Sequence, residues 1–165
     1  MFRAHLRSIV ITALLLMGIL VVSSADEATV KKAITAEYSK RSTAFKTKDL
    51  KGLFASSTSD MTVKRRNGTI LTRAQLEKDF KTQFINTKTV KECVNQITKL
   101  EVQRETTVAY FKSHVVVVLN QGGRYHEYDS TVEGRDTWVK TSSGWKLKFE
   151  EVSKETVQMD GKKLQ

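Results

Sequence analysis

Residues 135–152 read RDTWVKTSSGWKLKFEEV. Two tryptophans, Trp138 and Trp145, flank the polar break Thr141-Ser142-Ser143-Gly144, each inside a run of alternating residue types. Alternation at period two is the mark of a half-buried strand, and Ser-Ser-Gly supplies a tight turn. The stretch therefore predicts an antiparallel hairpin. Asp136, Trp138 and Lys140 share one face of the first strand, and Trp145, Leu147, Phe149 and Glu151 share one face of the second.

Upstream the same period continues. TVKECVNQITKLEVQRE (89–105), TTVAYFKSHVVVVLNQ (106–121) and RYHEYDSTVEGRDTWVK (124–140) read as long strands, and GWKLKFEEVSKETV (144–157) follows as the last of four. Gly122-Gly123 makes another hairpin turn, and Glu133-Gly134 suggests a bulge that bends the third strand. Earlier in the chain the period is that of a helix. Over residues 27–47, Val30, Ala33, Ile34, Tyr38 and Phe45 fall near one stripe, with Arg41 on the same line. Asp49 is placed to cap a short helix carrying Leu50, Leu53 and Phe54. DMTVKRRNGTIL (60–71) reads as two short strands around Asn67-Gly68, and the sequon Asn67-Gly68-Thr69 coincides with that turn. Thr72-Arg73-Ala74-Gln75 fits a capping box, with Leu76, Phe80 and Phe84 following on one helical stripe. Helices first and a curved antiparallel meander after them define an α+β layout, helices packed on one sheet face.

Residues 1–25 have the layout of a secretory signal peptide. Arg3 and Arg7 precede an apolar run from Ile9 to Val22, and Ser23-Ser24-Ala25 places small residues before Asp26. That run covers 14 residues, short of the about 20 that a membrane span needs. The expected mature chain, 26–165, forms a single domain, secreted or periplasmic, with no stable membrane insertion after cleavage. Without Arg3 and Arg7 it carries 26 basic and 18 acidic side chains, a net charge of +8. The basic residues are scattered among acids, so a solvated surface is expected and no nucleic acid is assigned as partner. Cys93 is the one cysteine, which excludes an internal disulfide and suits a small buried hydrophobe. His114 and His126 lie on separate strands without ligand spacing, so neither a metal nor a cofactor is expected. No nucleophile or phosphate-loop pattern is present.

Three stretches carry a resemblance. AFKTKDLKGLFASSTSDMTV (44–63), NGTILTRAQLEKDF (67–80) and RDTWVKTSSGWKLKFEEVS (135–153) occur in the order and spacing of the nuclear transport factor 2-like superfamily, in particular its SnoaL-like members of unassigned function. The resemblance spans most of 28–153. It implies a cone: N-terminal helices on a strongly curved antiparallel sheet, cystatin-like, with a pocket at the open end. It also implies that dimerisation is common and that isomerases, dehydratases, hydrolases and ligand binders all share the fold. The comparison with the ketosteroid isomerase relatives places Arg65 or its neighbours where those enzymes carry a base carboxylate, and an arginine cannot abstract a proton there. Their helical tyrosine falls near Arg41, with Tyr38 one turn earlier, and their second acid falls at Asp136. Glu151 stands where many members carry a histidine.

The pocket candidates are thus Tyr38, Asp136, Trp138 and Glu151. Asp136 is either a desolvated acid beside Trp138 or the ion-pair partner of a strand-edge cation. Glu151 either faces the pocket or is solvated at the strand end. Tyr38 either presents its hydroxyl to the cone or is a core residue with a wet tip. Two functions follow: a small-molecule binder with no assigned reaction, and a non-catalytic homodimeric module pairing through the outer sheet face. A SnoaL-like isomerase or hydrolase is a third.

Overall fold

A computed structural model describes residues 24–164. The expected signal segment lies outside them, apart from Ser24 and Ala25. The elements are α1 (Ser24–Lys46), α2 (Leu50–Ala55), β1 (Ser57–Lys64), β2 (Ile70–Thr72), α3 (Arg73–Asn86), β3 (Thr87–Val102), β4 (Thr106–Gln121), β5 (Arg124–Thr141), β6 (Gly144–Met159) and β7 (Lys162–Lys163). Both predicted helices, the capped short helix and all four long strands are present. Among the described residues no helix is long and apolar enough to cross a membrane.

Local chemistry sets the breaks between the helices. α1 ends where Lys48 enters the left-handed region, at φ 56°. The Lys48 ammonium donates to the Thr87 carbonyl at 2.9 Å, tying the end of α1 to the start of β3. Asp49 then caps α2, its carboxylate accepting from Gly52 N–H at 2.9 Å. Thr72 and Gln75 form the predicted reciprocal capping box at the start of α3. Gly68 takes φ +85° in the β1–β2 turn, a conformation that glycine adopts without strain.

The sheet runs β2-β1-β6-β5-β4-β3, with β7 appended to β6. It is mixed rather than wholly antiparallel. β1 runs parallel to β6, because α3 and the three strands after it carry the chain across the sheet and back before β6 arrives. The concave face meets α1, which packs chiefly along β3, and the core lies between them. Phe45, Phe54, Phe80 and Phe84 form a cluster of rings from α1, α2 and α3, with centroids 5.5–6.1 Å apart. Cys93 faces this core from β3, and burial pushes its thiol up from the ordinary value.

Two irregularities on β6 decide which side chains face inward. The β5–β6 register passes from Thr137↔Phe149 to Trp138↔Leu147, and from Glu133↔Lys154 to Gly134↔Val152. Lys148 and Ser153 are the extra residues, and each reverses the alternation of the strand. Leu147, Glu150, Val152 and Glu155 consequently lie opposite the inward residues Trp138, Asp136, Gly134 and Val132. The alternation expected for Trp145, Leu147, Phe149 and Glu151 therefore holds only up to Leu147.

The convex face is laced with cross-strand ion pairs. Arg135 and Lys64 both hold Glu151, at 2.6 and 2.9 Å, and Lys154 reaches Glu133 at 3.4 Å. His114 bridges three strands, with Glu92 at 3.1 Å on Nδ1 and Asp129 at 3.0 Å on Nε2. The Glu92 hydrogen bond, and then that of Asp129, raises the His114 pKa above its ordinary value. A histidine whose pKa rises on folding adds stability that is complete below about pH 6.5 and is lost as pH rises through the folded value. We expect the urea midpoint to fall from about pH 6 to about pH 8, and His114→Gln to flatten that part of the profile. A profile unchanged by the substitution would assign the pH dependence elsewhere.

Candidate functional site

The helical period brings Tyr38 and Arg41, one turn apart on α1, to the concave face. The first bulge on β6 brings Glu150 opposite Asp136 of β5. The Tyr38 hydroxyl donates to Asp136 Oδ2 at 2.7 Å. Arg41 Nη1 donates to the Ser57 hydroxyl at 3.3 Å, and its Nη2 lies 3.9 Å from Glu150 Oε2. Asp136 is 2% exposed, and its second oxygen, Oδ1, is buried without a protein partner.

The electrostatics follow from this arrangement. Burial, and next the charge of Glu150, raise the Asp136 carboxyl well above the usual carboxylate range, while Arg41 and the Tyr38 hydrogen bond pull it down. Burial also raises Glu150, with Arg41 opposing. Burial first, and then the Asp136 charge, push the Tyr38 phenol far above its ordinary value, so it remains a hydrogen-bond donor. Two carboxyls sharing one guanidinium in a poorly solvated place favour retention of a proton. A protonated Asp136 offers an O–H to whatever lies beside Oδ1.

This cluster sits at the floor of a cavity of about 350 Å³. The walls are largely apolar, with Phe54, Met61, Phe80, Val115 and Val132 among them, and Arg65, Gln83, Asn95, Ser113, Ser130 and Glu155 add polar groups to the lining. From β1 the wall receives Met61 and Val63, while Asp60 is exposed and pairs with Lys148 at 3.3 Å. The first strand thus presents no carboxylate to the cavity, in line with the alignment that places Arg65 or its neighbours where a base would stand. Among the described residues no group of three His, Cys, Asp or Glu is arranged to hold a metal ion.

Of the four predicted residues, the structure brings three together. Tyr38 and Asp136 line the cavity. Trp138 stands behind them, fully buried, its ring edge-on to Tyr38 with centroids 5.4 Å apart, and it is absent from the lining. Glu151 lies on the opposite face, where hydrogen bonds from Lys64 and then Arg135 hold its carboxyl below the ordinary range. The bulge at Lys148 is the reason, since it gives the inward position to Glu150. Sequence reasoning missed Arg41 and Glu150 as site residues. For Arg41 a signal existed, a cation on the apolar stripe of a helix. For Glu150 none did, because nothing in GWKLKFEE marks the bulge.

No family model and no curated protein matches the chain. Solved structures do. A scytalone dehydratase-like protein from Novosphingobium aromaticivorans superposes with a TM-score of 0.66 at 18% identity, covering 81% of this chain and 91% of that one. A conserved protein from Planctomyces limnophilus gives 0.65 at 13% identity, covering 75% and 94%. A nuclear transport factor 2-like superfamily protein from Salmonella enterica gives 0.60 at 18% identity, covering 77% and 92%. At such identities the likeness speaks for architecture alone: the chain has the nuclear transport factor 2-like fold, a cystatin-like α+β cone of helices on a curved, open sheet.

Proposed function

We propose that the chain binds a small, mainly apolar molecule in the cone, with one oxygen function of that molecule seated against Asp136. The observation that carries this reading is Asp136 Oδ1, buried and unpartnered on a residue that lines a largely apolar cavity of about 350 Å³. A buried polar atom without a partner costs about 1–3 kcal/mol, which a ligand oxygen in hydrogen-bond contact recovers. Tyr38 positions the carboxyl through Oδ2, and Arg41 balances the charge of Glu150. No reaction is assigned. The layout of residues 1–25 supports export with cleavage after Ala25. Homodimerisation through the convex face draws less support, since that face is occupied by ion pairs.

Native mass spectrometry of the chain purified from a secreting host reads all three points: the new N-terminus, any small-molecule adduct and the oligomeric state. Titration with naphthol, followed by its fluorescence, then tests the acid. If the Asp136 O–H donates to the ligand, wild-type affinity falls about tenfold as pH rises through the raised folded pKa, while Asp136→Asn gives a flat profile. The same raised pKa means that the stability contributed by Asp136 is complete below about pH 4 and declines as pH rises through the folded value. Asp136→Asn is therefore expected to be at least as stable as wild type at neutral pH. Absence of any adduct together with absence of naphthol binding would overturn the reading, as would an identical pH profile in the variant.

A further inference from the structure

Beyond the cone lies a second depression, a groove of about 530 Å³ between the end of α3 and the tip of the β4–β5 hairpin. Arg65 and Gln83 line both spaces, so the groove continues the mouth of the cone. Its walls are built from nine residues of α3, β4, β5 and the β1–β2 turn. They are mostly neutral hydrogen-bonding side chains, and the only charged ones, Arg65 and Asp79, face each other at 3.5 Å. An anionic ligand would find no unpaired cation here, and a cationic one no unpaired carboxylate. Leu119 and the Tyr128 ring supply its larger apolar side chains.

Three of the four amide side chains of the groove are hydrogen-bonded within the chain. The Tyr128 hydroxyl donates to Gln121 Oε1. The Gly123 N–H donates to Asn120 Oδ1 at 3.0 Å. Asn86 spends its Nδ2 on the Thr82 carbonyl of its own helix at 3.2 Å. Each of these bonds takes one lone pair or one hydrogen, so Gln121 and Asn120 keep both amide hydrogens on the hairpin side and Asn86 keeps Oδ1 on the helix side, with further donor and acceptor capacity at each. A hydroxyl both donates and accepts, so neighbouring hydroxyls on a ring satisfy such opposed amides, as a single carbonyl does not.

We infer that the groove is a subsite for a neutral polyhydroxylated group, a sugar, carried by the molecule whose apolar part enters the cone. This inference rests on the cone-binding reading above. The ligand it describes is a glycoside of an apolar aglycone, with the aglycone inward and the sugar at the mouth.

The test compares 6-hydroxy-2-naphthyl β-glucoside, whose free hydroxyl remains to meet Asp136 while the sugar lies at the other end of the ring system, with naphthol on the full chain, by fluorescence titration, together with methyl β-glucoside followed by side-chain amide NMR. The glucoside is expected to bind about tenfold more tightly than naphthol, the fold-change that two or three net neutral hydrogen bonds supply. Asn86→Ala combined with Gln121→Ala should erase that advantage and leave naphthol affinity unchanged. Both positions are polar and line an open surface, so the folded state is expected to survive, and an unchanged thermal midpoint checks it. Methyl β-glucoside at high concentration should shift the Asn86, Asn120 and Gln121 side-chain signals. Equal affinity for glucoside and naphthol, or an advantage that survives the double variant, overturns the sugar subsite while leaving the cone reading standing. Binding of neither aromatic probe overturns the cone reading and this inference with it. Glucoside binding confined to the groove signals, with naphthol unbound, overturns the cone reading and the aglycone half of this inference, and supports the sugar subsite.

Discussion

Trp138→Ala is expected to cost about 3–5 kcal/mol of folding stability, a large part of what a domain of this size possesses. The indole is fully buried at the closed end of the cone, paired across the strands with Thr107 on one side and Leu147 on the other, both themselves at 0% exposure. Its ring stands nearly perpendicular to that of Tyr38, at an interplanar angle of 84°. No side chain at the surface can move in to fill the space, so the cavity term adds to the lost transfer energy. A second effect follows from the first. Tyr38 holds Asp136, so a loosened Tyr38 is expected to weaken ligand binding as well. Urea unfolding and naphthol titration on the same variant separate the two. A loss below about 1 kcal/mol would mean that the indole is not the packing centre described here. A tryptophan on the pocket wall, as the sequence suggests for Trp138, would act on affinity more than on stability. Its position behind the cavity wall reverses that order.

Gly134→Ala is the second large effect, expected at about 3 kcal/mol. Gly134 has no left-handed φ among its reasons. Its reason is space: a Cβ there would stand 2.2 Å from the Glu151 carbonyl oxygen and 3.1 Å from the tip of the Phe111 ring. The oxygen belongs to the backbone of β6 and cannot swing aside, so relief requires β5 and β6 to part at the bulge. Glu150 rides on that segment beside Asp136, and the cavity floor is expected to shift with it. Differential scanning calorimetry reads the stability loss, and the pH profile of naphthol binding reads the floor. Gly144→Ala, at a turn position with open space but φ +103°, serves as a control for glycine loss without a clash. A Gly134→Ala variant no less stable than that control would refute the steric account.

The sequence carried the fold further than it carried the site. Period-two runs, the Thr72–Gln75 box, the Asp49 cap and the glycine turns are local signals, and local signals place elements. They do not place strands beside one another, which is why the parallel contact of β1 with β6 was not anticipated. At the site, Tyr38 and Asp136 were legible because each sits on a regular stretch whose period can be counted. Glu151 was misplaced and Glu150 overlooked for one reason. Counting by twos along β6 fails after Lys148, and the extra residue there is set by pairing with β5, a long-range fact. Arg41 was visible on its stripe, yet its role depended on the carboxyls that face it.

The bulge at Lys148 has a bearing on how robust the cavity floor is. In most strands a slip of one position exchanges every inner residue for an outer one and destroys whatever chemistry the inner face holds. Here glutamate occupies both 150 and 151. Paired without the extra residue, the strand would count on from Trp138↔Leu147 to set Phe149 opposite Asp136 and Glu151 opposite Gly134. The doublet is therefore no safeguard against a framing error: the bulge alone sets the phase that puts a second acid, rather than a phenyl ring, beside Asp136.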